Sequence, residues 1–192
     1  MAQPANTIDA NRNRGSFDPA QPLWIFGYGS LIFKADFPFL DRKPAIISGW
    51  ERRFWQGSHD HRGTPQKPGR VVTLVESPGS QCLGMGYRID PVTLEHLDYR
   101  EKNGYLRFST VMAFEGGIKD QGLVYIATED NPAWLGPAPE WKIAAQIGES
   151  VGPSGRNIDY LFALSSSLRK MSADDPHVYE IEGYLKQKHV AP

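Results

Sequence analysis

The β-type segments of this chain come first and most of its helical patterns come last. Short runs rich in β-branched and aromatic residues lie at 24–26, 45–50, 52–56, 70–76, 82–89, 106–114 and 123–128. We expect a bend near Gly49 between the second and third runs, and a turn from Ser77 to Ser80 between the fourth and fifth. Asp90 and Pro91, a capping residue followed by proline, open one helix within this region that runs to about Lys102. Further helical patterns follow at 140–149, 157–171 and 176–186, and Asp175 and Pro176 repeat the cap and proline at the start of the last one. This order predicts an α+β fold in which about six strands curl into a small barrel or twisted sheet with helices outside it.

The length of the chain is suited to one domain. Its 192 residues, of which 40% are hydrophobic, are enough to bury a substantial core. Residues 1–21 are rich in Asn, Ala, Pro, Gln and Arg and show no periodic apolar face, which is typical of a disordered leader. We therefore expect a leader over residues 1–21 and a single domain over residues 22–190.

The charge and the apolar pattern indicate a small-molecule partner. The formal net charge is −1 and the pI is about 6.5, without a long basic run, so we expect no binding to nucleic acid or to an anionic membrane surface. No run of about 18 apolar residues occurs, so no segment is predicted to cross a membrane. Cys82 is the one cysteine, which suits a reducing compartment, and the cytoplasm is the simplest placement. We expect Cys82 to be a buried thiol.

The first strand leads into a candidate binding loop. After Trp24 and Ile25 the chain reads Phe26, Gly27, Tyr28, Gly29, Ser30 and Leu31, with two glycines flanking a tyrosine. Glycine lets the backbone approach a ligand closely, and successive N–H groups that point the same way form a concavity suited to a carboxylate or a phosphate. A tight turn between strands is the alternative, and this stretch by itself does not separate the two.

Glu101 is the second candidate, because of the face that it occupies on the predicted helix. At about 100° per residue, Leu97, Asp98 and Glu101 all lie within about 60° of Leu94, so Glu101 shares the apolar face. Burial and the negative end of the helix dipole both favour the neutral acid and raise the pKa of this carboxyl, which makes it a better general base near neutral pH. The alternatives are that Glu101 lies beyond the last ordered turn or forms an ordinary ion pair with Arg107.

The residues after Glu101 predict the end of this helix. Asn103 and Gly104 form a C-terminal stop that would hold the hydroxyl of Tyr105 close to the carboxylate. Tyr105 is therefore a further candidate for the site.

Several other groups are weaker candidates. His59, Asp60 and His61 lie together in a polar loop, but they lack the further ligands that a stable metal site needs, so we predict no metal. Ser30 is not surrounded by the Gly-x-Ser-x-Gly pattern of a nucleophile elbow. Arg53 and Arg70 are candidates to bind a substrate carboxylate, with a structural role as the alternative.

With these stretches located, the chain resembles the ChaC-type γ-glutamylcyclotransferases from about Trp24 to the last helix. The resemblance rests on ordered motifs: Phe26 to Leu31, Arg53 to Gly57, His61 to Gly63, Pro68 to Leu74, Asn131–Pro132, Leu135 to Pro139 and Gly152 to Gly155. Relatives often have two glycines before the tyrosine that follows the glutamate motif, whereas this chain has Asn103 and Gly104.

The resemblance implies a fold, an activity and a set of site residues. The fold would be a small mixed β-barrel with flanking helices, and the activity would be cleavage of glutathione into 5-oxoproline and cysteinylglycine without a metal or an organic cofactor. Glu101 would be the catalytic base. The loop from Phe26 to Leu31 would hold the γ-glutamyl end of the substrate, together with Tyr105.

Two other functions stay open from the sequence. The same site could act on other γ-glutamyl amines or γ-glutamyl dipeptides. A non-catalytic relative could instead bind a γ-glutamyl ligand or a protein partner, although a binder of an anionic ligand would do better without the carboxylate of Glu101.

Overall fold

The structure, a computed structural model, describes residues 6–12, 14–15 and 17–190. The described residues form two compact units. The first lies within residues 1–51 and 74–132, and the second within 52–73 and 133–192. The expectation of a single domain over residues 22–190 stays a prediction. Within the described part of the chain, no helix is long and apolar enough to span a membrane.

The β-rich part of the chain forms a closed barrel of five strands in the order β1-β3-β2-β4-β5. Their bounds are β1 Leu23–Gly27, β2 Asp41–Ser58, β3 Gly69–Ile89, β4 Tyr105–Ala113 and β5 Lys119–Ala127. β1 is parallel to β5 and antiparallel to β3, so the sheet is mixed. The predicted α+β fold, a small mixed β-barrel with flanking helices, is confirmed.

The barrel has a dense apolar interior. β1 is buried along its whole length because it pairs with strands on both sides. Ile25, Phe26, Tyr87 and Leu123 are at most 1% exposed. The loop that follows β1 is therefore attached to the buried core of the barrel.

Two of the strands are longer than predicted, because each continues through a glycine. The predicted bend near Gly49 and the predicted turn from Ser77 to Ser80 do not interrupt the sheet, because β2 and β3 continue through them. Gly49 and Gly79 both have a positive φ, at 83° and 89°. Glycine adopts that backbone conformation without a steric penalty, so the strands bend there and continue.

The helix that carries the candidate carboxylate is shorter than predicted. α2 spans Thr93–Arg100, rather than Pro91 to Lys102. Asp90 Oδ1 accepts a hydrogen bond from the Val92 N–H at 3.0 Å, so Asp90 caps a turn that precedes the helix. Leu94 and Leu97 are buried as the periodicity predicts.

The second unit is mainly helical. It contains α3 Glu140–Glu149 and α4 Asn157–Lys170, close to the predicted bounds, and α5 Pro176–Val190, which begins as predicted and ends four residues later than the predicted end at 186. A short hairpin of β6 Val151–Gly152 and β7 Gly155–Arg156 lies between α3 and α4 in the sequence. Asp175 Oδ1 accepts from the Val178 N–H at 3.1 Å, which confirms the predicted cap and proline start of α5. Asp175 also forms a buried ion pair with Arg52.

The N-terminal residues differ from the sequence-based expectation of a disordered leader. Ile8–Arg12 form the short helix α1. The side chain of Asn11 is fully buried and hydrogen-bonded to β4, which supplies the fixed contacts that the composition of the segment does not reveal. Residues 1–5, 13 and 16 of the predicted leader lie outside the described residues.

Candidate active site

Buried side chains and two tyrosine hydroxyls of the first unit fix the loop after β1. Phe26, Tyr28 and Leu31 are all buried, and a short 3-10 turn follows over Ser30–Ile32. The Tyr28 hydroxyl donates to the carbonyl oxygen of Tyr125 at 2.7 Å, and the Tyr87 hydroxyl donates to that of Leu31 at 2.5 Å. The large side chains therefore anchor the loop, and what the loop can offer to a ligand is its backbone and Ser30.

The backbone of this loop has N–H groups that are available to bind a ligand. Among the described residues, no acceptor bonds the N–H groups of Gly29, Ser30 or Leu31, whereas those of Ile32, Phe33 and Lys34 bond back into the turn. Gly27 is needed for the close packing beneath them, because a Cβ there would lie 2.7 Å from the Cβ of Leu31. A loop with consecutive unpaired amides can accept a carboxylate or a phosphate.

Glu101 lies directly after the last residue of α2. Its N–H still donates to the carbonyl oxygen of Leu97 at 2.8 Å, which keeps the carboxylate close to the phase that the helix predicts. Its side chain is 16% exposed. Burial raises the pKa of Glu101, and the neighbouring Arg100 guanidinium opposes that rise. A carboxyl in this state can take up and release a proton nearer to neutral pH.

Arg100 joins the carboxylate to the loop. Its Nε lies 3.3 Å from Oε1 of Glu101, and its Nη2 donates to Oγ of Ser30 at 2.8 Å. The same guanidinium donates to the carbonyl oxygen of Lys34 and pairs with Asp36. The two candidates that the sequence singled out thus share one cation, and the structure brings them together.

Tyr105 begins β4 just after this carboxylate. Its N–H donates to the carbonyl oxygen of Glu101 at 3.3 Å. Gly104 has a φ of 95°, as the predicted helix stop requires, whereas Asn103 needs no left-handed conformation. The stop is therefore intact, and the role of the Tyr105 hydroxyl in substrate binding stays a prediction.

A buried polar cluster beneath the site was not predicted. The Tyr125 hydroxyl donates to Oδ1 of Asp98 at 2.7 Å, and Nη1 of Arg107 lies 3.3 Å from Oδ2 of the same carboxylate. Arg107 therefore pairs with Asp98, so the expected alternative of an ion pair between Arg107 and Glu101 is wrong. The position of Asp98 on the apolar face of the helix was the signal in the sequence, but nothing in the sequence indicated its partners.

Electrostatics connects this cluster to Glu101. Burial and the hydrogen bond to Asp98 raise the pKa of Tyr125 far above its ordinary value, and the charge of Glu101 adds to the effect. Burial also raises the pKa of Asp98, while Tyr125 and Arg107 oppose that rise. Tyr125 is thus a neutral hydroxyl near the candidate base.

The weaker candidates are accounted for inside the second unit and the barrel. Arg70 is buried and donates to the carbonyl oxygens of Phe54 and Gly136 and to the side chain of Gln146, so it has the structural role that we gave as its alternative. Cys82 is buried, as predicted. Among the described residues, no group of three or more His, Cys, Asp or Glu side chains is placed to hold a metal ion.

Comparison with known proteins agrees with this architecture. The sequence model of the family described as ChaC-like protein matches residues 23–188. A protein from Danio rerio named glutathione-specific γ-glutamylcyclotransferase 1 is 44% identical over 174 residues, which are 85% of this chain and 88% of that protein. The Homo sapiens protein of the same name is 40% identical over 186 residues, covering 91% of this chain and 83% of the human one.

A solved structure supports the same relationship. The crystal structure of a γ-glutamyl cyclotransferase specific to glutathione from yeast matches with a TM-score of 0.78 at 31% identity, over 86% of this chain and 96% of the yeast chain. The family match covers both the loop after β1 and the end of α2. The chain therefore belongs to the ChaC-like protein family.

Proposed function

We propose that this protein is a γ-glutamylcyclotransferase that acts on glutathione, with Glu101 as its general acid and base. The relatives named for this activity match most of the chain. The observation that carries the proposal is the bridge formed by Arg100, which contacts both Glu101 and Ser30. It sets a carboxylate of raised pKa beside a loop with unpaired backbone donors.

The chemistry of the substrate explains why such a site is sufficient. The γ-glutamyl group of glutathione carries its own nucleophile, an α-amine that closes a five-membered ring when it attacks the γ-carbonyl carbon. Formation of that C–N bond and cleavage of the bond to cysteine release 5-oxoproline and cysteinylglycine, with no water consumed. The protein has to fold the substrate and move protons.

The loop after β1 would hold the substrate in the conformation that the ring closure needs. The N–H groups of Gly29, Ser30 and Leu31 would hold the α-carboxylate, which places the α-amine against the γ-carbonyl. Correct orientation of an intramolecular attack is worth effective molarities of about 10⁵ M or more. The buried side chains of Phe26 and Tyr28 keep the loop in place, and Tyr105 would contribute from the start of β4.

Glu101 supplies the proton transfer. It would accept a proton from the α-ammonium group, which frees the amine to attack, and then give a proton to the departing amine of cysteinylglycine. A carboxyl whose pKa is raised toward neutrality holds that proton more readily than an ordinary glutamate. General acid and base catalysis of this kind contributes about 10² to 10⁴ in rate.

The test is the release of 5-oxoproline by purified wild-type protein and by Glu101→Gln, which keeps the shape of the side chain and loses the ionisable group. We expect the variant to lose about 10²-fold or more in kcat and to keep the thermal stability of the wild type. Glu95→Gln is the matched control, because Glu95 is an exposed residue of the same helix. An unchanged rate for Glu101→Gln would overturn the assignment.

Substrate choice is tested in the same assay with glutathione, γ-glutamyl dipeptides and γ-glutamyl-lysine. Preferential turnover of glutathione supports the proposal. Faster turnover of another γ-glutamyl compound would change the substrate and keep the mechanism. Binding of these compounds without any 5-oxoproline would show a non-catalytic relative instead.

A further inference from the structure

The N-terminal segment, residues 6–12, is hydrogen-bonded along the connection that follows the candidate base. Thr7 donates from its N–H to the carbonyl oxygen of Lys102 at 2.9 Å and from Oγ1 to the same oxygen at 3.0 Å. Its Oγ1 also lies 3.4 Å from the carbonyl oxygen of Glu101. Asn6 forms an isolated β-bridge with Asn103. The segment therefore follows the backbone of residues 101–103 closely.

Asn11 continues these contacts onto β4. Its Nδ2 donates to the carbonyl oxygen of Tyr105 at 3.0 Å, and its Oδ1 accepts from the N–H of Arg107 at 2.9 Å. Its own carbonyl oxygen accepts from the Arg107 guanidinium. An asparagine that is fully buried and uses both ends of its amide in this way fixes the backbone that it bonds.

The guanidinium of Arg107 extends the contact to the polar cluster beneath the site. Arg107 is 3% exposed, and its Nε has no hydrogen-bond partner among the described residues. Its charge therefore depends on Asp98 and on the carbonyl oxygen of Asn11 for compensation. Asp98 in turn accepts the hydroxyl of Tyr125.

We propose that Thr7 and Asn11 of the N-terminal segment are positioning residues for Glu101, because they hold the connection from Glu101 to Arg107. The inference rests on the proposed function of Glu101. It concerns residues outside the family match, which begins at residue 23. In this proposal Thr7 and Asn11 act through the backbone of Glu101, Lys102 and Tyr105, which they contact.

Loss of these hydrogen bonds has a specific consequence for the base. A loosened connection lets water reach the carboxylate of Glu101 and lets its position vary, and a misplacement of about 1 Å costs about 100-fold in rate. Water also removes part of the burial that raises the pKa of Glu101. The acid limb of the kcat profile then moves to lower pH, because the base stays ionised at lower pH.

The other charged and titratable groups around Glu101 stay the same in the test variants. They comprise Arg100 with its partner Asp36, Tyr105, the cluster of Asp98, Arg107 and Tyr125, and Arg12 and Glu95, whose charges act on Asp98. A change in the pH profile therefore reports the position and hydration of Glu101. A variant that merely unfolds part of the sample lowers kcat in proportion to its folded fraction, so thermal unfolding of each protein is measured at the same pH values and separates this effect from a shifted midpoint.

The experiment compares Thr7→Val and Thr7→Ser in the full chain. Valine keeps the shape and the backbone N–H of Thr7 and loses the hydroxyl, whereas serine keeps the hydroxyl. We measure kcat and KM for release of 5-oxoproline from glutathione between pH 5 and 9, with thermal unfolding of each protein. Asn11→Ala removes the second anchor, and Asp9→Asn changes an exposed residue of α1 as the control.

We expect Thr7→Val and Asn11→Ala to lose about 10-fold or more in kcat, with KM within about twofold of the wild type and an acid limb at lower pH. Thr7→Ser and Asp9→Asn should behave as the wild type does. Wild-type kcat and pH midpoints in both Thr7→Val and Asn11→Ala, beside an inactive Glu101→Gln, would overturn this inference alone. No release of 5-oxoproline by the wild type, or an active Glu101→Gln, would overturn the proposed function and this inference with it.

Discussion

Replacement of Arg100 tests how the two halves of the site depend on each other. Arg100 is the residue whose guanidinium contacts both Ser30 and Glu101, and its side chain is 16% exposed. Arg100→Gln removes the charge and the planar fork of donors. Arg100→Lys keeps a positive charge but has a single ammonium, which cannot reproduce both contacts.

The expected loss of kcat/KM can be estimated from the contacts of Arg100 with Ser30 and Glu101. A hydrogen bond to a charged group contributes about 1.5–3 kcal/mol, and partial exposure of Arg100 favours the lower figure. Loss of both bonds in Arg100→Gln then costs about 3 kcal/mol of transition-state stabilisation, or roughly 100-fold in kcat/KM. Arg100→Lys retains at most one of them and should lose about 10-fold.

The pH dependence of kcat/KM shows in which direction the charge of Arg100 shifts the pKa of Glu101. The positive charge of Arg100 lowers the pKa of Glu101 against the effect of burial. Without that charge the pKa of Glu101 rises further, so the ionised base is populated only at higher pH. The acid limb of the kcat/KM profile should therefore move to higher pH in Arg100→Gln and stay near the wild-type position in Arg100→Lys.

The assay is the release of 5-oxoproline from glutathione, with kcat/KM measured across pH for each variant. Asp36→Asn is the matched control, because it removes the partner of Arg100 that is 45% exposed and leaves Ser30 and Glu101 in place. A surface ion pair contributes about 0–1 kcal/mol, so this control should stay within about fivefold of the wild type. An acid limb that stays put or moves to lower pH in Arg100→Gln would refute the reasoning.

Two further predictions concern the second unit. Asp175→Asn keeps a capping side chain but removes the carboxylate that forms the buried ion pair with Arg52, so we expect a loss of about 3 kcal/mol or more in the free energy of unfolding by urea. His177 Nε2 accepts from the Phe54 N–H at 3.0 Å, and its Nδ1 lies 3.1 Å from Oε1 of Glu140; burial lowers its pKa in the folded protein. The unfolded chain therefore binds the proton first, and Tm should fall as the pH drops below about 6.5, less steeply in His177→Gln.

Each of these predictions has its own check. Asp159→Asn breaks an exposed ion pair with Arg156 and should change the free energy of unfolding by less than about 1 kcal/mol; an equally small loss in Asp175→Asn would contradict the first prediction. For the second, the same dependence of Tm on pH in the wild type and in His177→Gln would show that the proton uptake lies elsewhere.

Local patterns in the sequence were informative where neighbouring residues decide the structure. The helices α3 and α4 have nearly the predicted bounds and α5 begins at the predicted residue, because capping residues, prolines and a 3.6-residue apolar period act within a few turns. The predicted phase of Glu101 is kept although α2 ends at Arg100, two residues before the predicted end, because the N–H of Glu101 still bonds Leu97. The strands were predicted less well, since Gly49 and Gly79 bend β2 and β3 without ending them.

The contacts that make the site depend on pairs that are distant in the chain. Arg100 meets Ser30, and Tyr125 meets Asp98, only because strand register and helix packing bring them together. β1 lies parallel to β5 with Phe26 opposite Val124, which places the loop after β1 beside Tyr125. No local period encodes such a pairing.

The sequence by itself therefore determined the two principal candidates of the site: a glycine-rich loop after the first strand, and a carboxylate on the apolar face of a helix. Both are local features, which spacing and residue type express directly. Only the tertiary structure decided that Arg100 joins them, that a buried cluster of Asp98, Tyr125 and Arg107 lies beneath them, and that residues 6–12 are bonded to the connection after Glu101. Those contacts form when the barrel closes, since closure brings distant residues within hydrogen-bonding distance.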